Sequence, residues 1–298
     1  MRKYKKVAVL KGGISSERAV SLRSGSAIAT GLRDAGYEVV EIDVQDRTPE
    51  LPADIEAVFI ALHGTFGEDG GIQQFLTERH IPFTGSNADS CRIAFDKVLT
   101  RKVLLNKNIP VAKGELLSSA KGRTLSLPVV VKPPCEGSSM GCHLVLTEKE
   151  WGAAFADAVK YSGTVLVETY IPGRELTVGI LENQILPVVE ICTETTWYDF
   201  DAKYVTGETK YLVPAPLSDQ TTEQLKEIAR DTFVSLNARG FARVDFRLSP
   251  EGNPYVLELN SIPGFTATSL LPKAAKAAGI SFSKLCAQIM ETATLFSA

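Results

Sequence analysis

The densest set of residues able to do chemistry lies in two strand-patterned segments, Phe241–Leu248 and Pro254–Asn260, of this 298-residue sequence. The linking stretch Ser249-Pro250-Glu251-Gly252 has the chemistry of a tight turn, which predicts an antiparallel hairpin. Alternation puts Phe241, Arg243, Asp245 and Arg247 on one face of the first strand, and Ala242, Val244, Phe246 and Leu248 on the other. On the second strand Val256, Glu258 and Asn260 oppose Tyr255, Leu257 and Leu259. One face is then an apolar core, while the other gathers Arg243, Asp245, Glu258 and Asn260 across paired strands. Three hard oxygen ligands on one rigid surface suit Mg²⁺ when phosphates complete its shell. The guanidinium of Arg243 can clamp a phosphoryl group or a carboxylate. A solvated sheet face laced with salt bridges would show the same pattern. The continuation Ser261-Ile262-Pro263-Gly264-Phe265-Thr266 favours a site, because a Pro-Gly turn there presents backbone N–H groups beside the acidic cluster.

A second constellation is Lys132-Pro133-Pro134-Cys135-Glu136-Gly137-Ser138-Ser139-Met140-Gly141. A lysine at a strand's end can contact phosphates while N–H groups and hydroxyls of a Gly/Ser loop fold over them. Taken alone, such a loop is equally an ordinary β-turn. Neither a GxxxxGK[ST] loop nor a GxGxxG after a strand occurs, so phosphate-binding lysines must come from scattered places.

The elements that must position these groups follow from periodicity. Strands at Val7–Leu10, Tyr37–Val44, Ala57–Leu62 and Pro82–Thr84 alternate with helices at 16–35 and 71–79, predicting a small parallel sheet covered on both faces. Ligands of such sheets sit beyond the strands' carboxyl ends, where Glu17 and His63 fall. Helix 90–106 carries Lys97, and strands Leu127–Val131 and His143–Leu146 flank the Gly/Ser loop. Thr147 and Glu150 form a capping box for a helix ending near Lys160. Strand Thr164–Glu168 leads to Ile171-Pro172-Gly173, a break suited to a hinge, and strands 175–181 and 185–192 follow. The loop Thr193–Pro216 is long enough to be a functional lid. Helix 221–237, the hairpin and two more helices close the chain. The expected domains are 1–88, 89–173 and 174–298.

Composition bounds the partners. A net charge of −3 gives no broad basic field for nucleic acid. No apolar run approaches the roughly 20 residues needed to span a bilayer, and Val7–Leu10 is too short for a signal peptide. Five scattered cysteines without a CxxC pair suit a reducing cytoplasm better than a disulfide framework or a zinc site.

Lys97, Lys132, Glu168, Glu175, Asp245, Glu258 and Asn260, together with the loop Glu136–Gly141, resemble the functional set of the ATP-grasp carboxylate–amine ligases. Within that superfamily, Gly12–Ser21, His63–Gly71 and Asn260–Leu270 look like motifs of the D-alanine–D-alanine ligases, and the resemblance spans nearly the whole chain. It implies an α/β fold, α+β in its ATP-grasp part, with three domains and an N-terminal Rossmann-like parallel sheet. It also implies ATP-dependent joining of two D-alanine molecules, for peptidoglycan precursor synthesis, by a cytoplasmic homodimer. By resemblance, Lys97 and Lys132 bind ATP phosphates, with Lys203 reaching them from the lid. Glu168 and the backbone of Ile171 meet the adenine edge, Glu175 takes the ribose hydroxyls, and Leu257 completes the nucleotide site. Asp245, Glu258 and Asn260 hold two Mg²⁺ ions, replaceable by Mn²⁺. Glu17 receives the first D-alanine's ammonium, His63 stands beside it, and Ser138 and Tyr204 lock the lid. The Gly264 N–H, Ser269 and Arg243 receive the second D-alanine's carboxylate and the developing oxyanion, and Leu270 lines the methyl pocket. Cys135, Ser261 and Phe265 depart from the commonest family pattern without removing a ligand or proton carrier.

Other readings remain at this stage: a ligase taking D-lactate second, a catalytically silent nucleotide-binding regulator on the same fold, and a dehydrogenase. The missing dinucleotide fingerprint disfavours the last, and the intact Asp245/Glu258/Asn260 set disfavours the regulator. Individually, Glu17 could serve only its helix dipole, His63 only the core, and Tyr204 only loop packing. Tyr204 discriminates among the ligase readings. An amine nucleophile must shed a proton where a hydroxyl carries no charge, and the Tyr204 hydroxyl would order the lid that admits the amine. Deleting one hydroxyl from such a network costs about 1–3 kcal/mol, roughly 5- to 150-fold in relative rate. Tyr204→Phe is therefore expected to raise kcat/KM for D-lactate relative to D-alanine as second substrate. A ratio unchanged within about twofold would make Tyr204 a packing residue.

Overall fold

Three sheets and the helices packed on them frame one continuous cleft in the computed structural model, which describes residues 2–192 and 209–296. Lys203 and Tyr204, with Trp197, lie outside the described residues.

Strands β1 (Lys6–Gly12), β2 (Glu38–Val44) and β3 (Ala57–Ile60) form a parallel sheet in the order β2-β1-β3. The unbroken apolar runs of β1 and β3 are explained by cover on both faces. Helix α1 (Arg18–Asp34) packs Ile28 and Leu32 against Val7, Val9 and Phe59, while α2 (Gly71–Glu78) packs Ile72 and Leu76 against Leu10 and Ile60. Residues 82–84 do not form a full strand; Phe83 makes single bridges to Val58 and Thr294.

The expected helix over 90–106 is two helices, α3 (Ala88–Phe95) and α4 (Lys97–Asn106). Asp96 separates them because its carboxylate accepts from the Val98 and Leu99 N–H groups, capping α4 in place of continuing α3. Strands β4 (Gly114–Leu117), β5 (Val129–Lys132), β6 (His143–Val145) and β7 (Val165–Thr169) form an antiparallel sheet ordered β4-β7-β5-β6. The capping box at Thr147 and Glu150 starts α5 (Glu148–Ser162), which covers this sheet with Trp151, Phe155 and Ala158. β4, at four residues, is too short to carry a periodicity signal in the sequence.

The third sheet contains β8 (Arg174–Leu181), β9 (Gln184–Ile185), β10 (Val189–Cys192), β11 (Lys210–Leu212), β12 (Phe241–Leu248) and β13 (Pro254–Asn260). Its order is β11-β10-β8-β12-β13, with β9 paired to β8. The single strand expected over 185–192 is interrupted around Pro187, which has no N–H to give a ladder. Helix α6 (Asp219–Ser235) buries Leu225, Ala229 and Phe233 against the sheet.

The hairpin departs from strict alternation. Asp245 faces Glu258 as expected, but Phe246 faces Val256, so Leu257 is an extra, bulged residue. Val256 is therefore in the core and not on the face of Glu258, whereas Leu257 turns into the cleft beside Glu258. The bulge brings an apolar contact into a polar face.

Helices α7 (Leu270–Ala277) and α8 (Phe282–Glu291) return to the first sheet and complete its core. Phe265, at the entry to this return, is fully buried and meets Phe59 and Phe241 at 5.9 and 6.1 Å between ring centroids. Its departure from the family pattern thus changes the core and not the pocket wall. All five cysteines are free thiols. Among the described residues no helix is long and apolar enough to cross a membrane. Because Leu285 on α8 is wholly buried among Val7- and Phe59-centred packing, Leu285→Ala is expected to lower unfolding free energy by about 2–5 kcal/mol. Urea denaturation followed at the N-terminal sheet measures this; a loss below about 1 kcal/mol would mean that α8 is not part of that core.

Candidate active site

The first part of the cleft lies between the second and third sheets and is lined by Lys97, Lys132, Glu136, Glu168, Ile171, Glu175, Asp245, Arg247, Leu257 and Glu258. Lys132 ends β5 and Glu168 sits on β7, so adjacent strands bring them together. Lys132 Nζ lies 2.6 Å from Glu168 Oε2, and Arg101 of α4 lies 3.0 Å from Oε1. One buried carboxylate thus holds two cations in place, an arrangement in which removing either partner is costly. Lys97, at the start of α4, donates to the Glu136 carbonyl at 2.6 Å and stands 3.4 Å from Glu258 Oε2. Burial alone would lower the Lys97 pKa, but the Glu258 carboxylate outweighs it and holds the ammonium above its ordinary range.

The hairpin supplies the oxygen cluster. Arg243 faces Asn260, and Asp245 faces Glu258. Asp245 Oδ1 accepts from Thr177 Oγ1 of β8 at 2.6 Å and from Arg243 Nε at 2.8 Å. Its Oδ2 accepts from Arg243 Nη2 and Asn260 Nδ2, each at 2.9 Å. With its amide nitrogen turned to Asp245, Asn260 offers an oxygen as its other amide atom. Two carboxylates and an amide oxygen on one sheet face fit the oxygen preference of Mg²⁺.

The second part of the cleft opens past Glu258 and Asn260 onto Glu17, His63, Ser138, Arg243, Gly264, Ser269 and Leu270. Glu17 precedes the first turn of α1, and Ser138 Oγ donates to its carboxylate. Gly64 adopts φ +67°, a conformation that favours glycine, and a Cβ on Gly64 or Gly137 would displace the Glu17 carboxylate, lying within 3 Å of its Oε2. Ser138 and Ser139 both adopt positive φ, +50° and +59°, a conformation costly for non-glycine residues and concentrated at functional loops. His63 is buried between the Ile262 carbonyl (3.0 Å from Nδ1) and Ser24 Oγ (3.2 Å from Nε2). Glu68 reaches 3.8 Å from His63 Nδ1 and accepts from the Gly64 N–H at 3.2 Å. Burial pushes the Glu68 carboxyl above its usual range, aided by the charge of nearby Glu17 and opposed by His63.

Comparison with known proteins bears on what this cleft does. A family model described as the D-ala D-ala ligase C-terminus matches residues 98–291, and one described as the D-ala D-ala ligase N-terminus matches 41–86. A D-alanine–D-alanine ligase of Methylacidiphilum infernorum is 44% identical, covering 97% of this chain and 95% of the relative. One from Syntrophotalea carbinolica is 43% identical over 98% of this chain and 97% of its own length. This chain belongs to the D-alanine–D-alanine ligase family. The crystal structure of the Bacillus anthracis D-alanine–D-alanine ligase complexed with ATP superposes with a TM-score of 0.84, at 32% identity over 97% of both chains.

Within this ligase fold, the residues named from the sequence fall into the two joined parts of one cleft, with Glu258 lining both. Lys203 and Tyr204 are the exceptions, lying outside the described residues. The sequence reading missed Arg101, Thr177 and Glu68. Arg101 follows Lys97 by one helical turn and shares its face, a signal that was available. Thr177 is placed opposite Asp245 only by the β8–β12 register, which sequence does not carry.

The Glu68 carboxyl gives a pH signature. Its folded pKa is raised, so as pH climbs above about 4.3 the unfolded chain ionises this group first. Stability therefore falls from that pH upward until the folded group also ionises. Glu68→Gln removes this fall, so the variant is expected to gain stability relative to wild type as pH rises from about 4.3, read by urea midpoints. A wild type–variant gap independent of pH would contradict the assignment.

Proposed function

We infer that this chain is an ATP-dependent D-alanine–D-alanine ligase whose reaction runs through an acyl phosphate. The observation carrying the reading is the single cleft in which Lys97 and Lys132 face Asp245, Glu258 and Asn260 and which continues to Glu17 and Arg243. A carboxylate oxygen is a poor leaving group, so the first D-alanine's carboxylate must take ATP's γ-phosphoryl group, releasing ADP. The second D-alanine's amine then attacks the acyl carbon, and phosphate leaves as the tetrahedral intermediate collapses.

Phosphoryl transfer asks the protein mainly for positioning and charge neutralisation. Lys97 and Lys132 would hold the phosphates, with Lys203 adding a third ammonium. Glu168 and the Ile171 backbone would read the adenine edge, Glu175 the ribose, and Leu257 would pack on the base. Glu17 would bind the first D-alanine's ammonium, and its bond to Ser138 ties the phosphate loop to that substrate. Arg243, Ser269 and the Gly264 N–H would orient the second carboxylate and stabilise the oxyanion, while Leu270 and His63 would shape the methyl pocket. Asp245, Glu258 and Asn260 would hold two Mg²⁺ ions, which when bound neutralise phosphate charge. Family membership likewise supports reading the chain as a cytoplasmic homodimer.

Incubation with D-alanine, ATP and Mg²⁺ is expected to yield equal amounts of D-alanyl-D-alanine, ADP and phosphate, with no dipeptide from L-alanine. Absence of the dipeptide would reject the reading. Glu258→Gln, which keeps shape and loses the charge paired with Lys97, is expected to remain folded at reduced stability and to lose about 100-fold or more in turnover. Near-normal turnover at limiting Mg²⁺ would remove Glu258 from the metal site.

A further inference from the structure

Arg247 stands in the nucleotide part of the cleft and has no role in the reaction as derived above. It is only 7% exposed. Its Nε donates to the Ile171 carbonyl at 3.0 Å, Nη2 to the Gly173 carbonyl at 2.9 Å, and Nη1 to Glu175 Oε2 at 3.2 Å. Nη2 also lies 3.4 Å from the Tyr170 hydroxyl, and the guanidinium carbon is 5.6 Å from the centre of that ring.

The partners fall into two groups, one in the sheet and one in the link that leads into it. Glu175 is directly opposite Arg247 in the β12–β8 ladder, so opposite charges are cross-strand neighbours there. Residues 171–173 are the link from β7 to β8, outside either sheet. Gly173 has φ +114°, and a Cβ there would come within 2.1 Å of the Leu248 carbonyl, so the link runs tight against the end of β12. A planar guanidinium can address both groups at once because its donors diverge in a fixed fork; an ammonium at the same place cannot.

We propose that Arg247 is a specificity-determining positioning residue for the nucleotide: by locking Glu175 to the Ile171–Gly173 link it sets the recognition of the ribose 2′-hydroxyl, and hence the preference for ATP over 2′-deoxy-ATP. This rests on the reading that Glu175 takes the ribose hydroxyls. The base edge is read from residues 168–171 and the sugar from Glu175, so the spacing between them fixes where the sugar lies. A carboxylate held by the fork meets a 2′-hydroxyl at one distance. Without the fork the carboxylate loses its tie to the link, and the hydroxyl contributes less to binding.

The test compares kcat/KM for ATP and 2′-deoxy-ATP in wild type, Arg247→Met, Arg247→Lys and Glu175→Gln, with thermal denaturation of each. Arg247→Met is expected to raise KM for ATP about tenfold and narrow the ATP to 2′-deoxy-ATP ratio about fivefold, with KM for D-alanine moving less than about twofold. Arg247→Lys, which keeps the charge without the fork, is expected to narrow the ratio similarly, and carries the comparison if the Met variant does not fold. A wild-type ratio in Arg247→Met, or in Arg247→Lys, overturns the proposal. If Glu175→Gln narrows the ratio while the Arg247 variants do not, the proposal alone fails. If Glu175→Gln leaves the ratio unchanged, the ribose reading of Glu175 fails and the proposal with it.

Discussion

The Asp245 carboxylate is where three strands meet in hydrogen bonds: Thr177 donates from β8, Arg243 from β12 and Asn260 from β13. A buried carboxylate is tolerated only when its oxygens are met by donors, so this group dictates the register of the strands around it. One residue's slip in β12 would turn Asp245, Arg243 and Arg247 into the apolar core and Val244 and Phe246 into the cleft. The apolar core behind the hairpin, with Val244, Phe246, Val256 and Leu259, enforces the same register from the opposite side. Chemistry and packing therefore specify one alignment together. The bulge at Leu257 then lets an apolar side chain join the polar face without disturbing the Asp245–Glu258 pair.

The two parts of the cleft are joined by loops, and the loops are held by charge. Ser138, at positive φ, donates to Glu17 from the Gly/Ser loop, and Lys97 ties the same loop through the Glu136 carbonyl. The strained conformation persists because contacts from two other elements over-determine it. A group that binds Glu17 would therefore act on the Gly/Ser loop directly, which under the proposed function would couple the amino-acid end of the site to the nucleotide end.

Much of this was legible in the sequence, for reasons that differ by residue. Arg243, Asp245, Glu258 and Asn260 could be placed on one face because a hairpin with an ordinary turn has a period of two. The parallel β2-β1-β3 sheet was legible because β1 and β3 are short apolar runs, with a helix and the strand β2 between them in the chain. The bulge was not, because a one-residue insertion in a ladder leaves no mark in alternating hydrophobicity until both strands are aligned. The break at Asp96 was missed although Asp is a poor helix-interior residue and a good N-cap; the apolar residues on both sides suggested one continuous helix. The roles of Lys203 and Tyr204 came from family resemblance alone, since nothing in a polar loop's composition distinguishes one lysine or tyrosine from another.

The pairing of charges across the cleft explains how so many ionisable groups can sit together, partly or wholly buried. Lys97 faces Glu258, Arg243 faces Asp245, and Lys132 faces Glu168, so each cation meets an anion within 3.4 Å. Each carboxylate that stabilises a lysine also stabilises the fold against an uncompensated buried charge, which would cost several kcal/mol. In the proposed ATP complex, a nucleotide triphosphate with Mg²⁺ would present the same two signs in the same order: anionic oxygens toward lysines, cations toward carboxylates. Exchange of partners then leaves the local charge balance nearly unchanged, and binding does not have to create or strand a buried charge. Arg101 and Glu168 differ from the rest of this set. Their pairing ties α4 to the second sheet, so Lys132 would keep an anchored counter-ion if its ammonium were shared with a phosphate, as proposed.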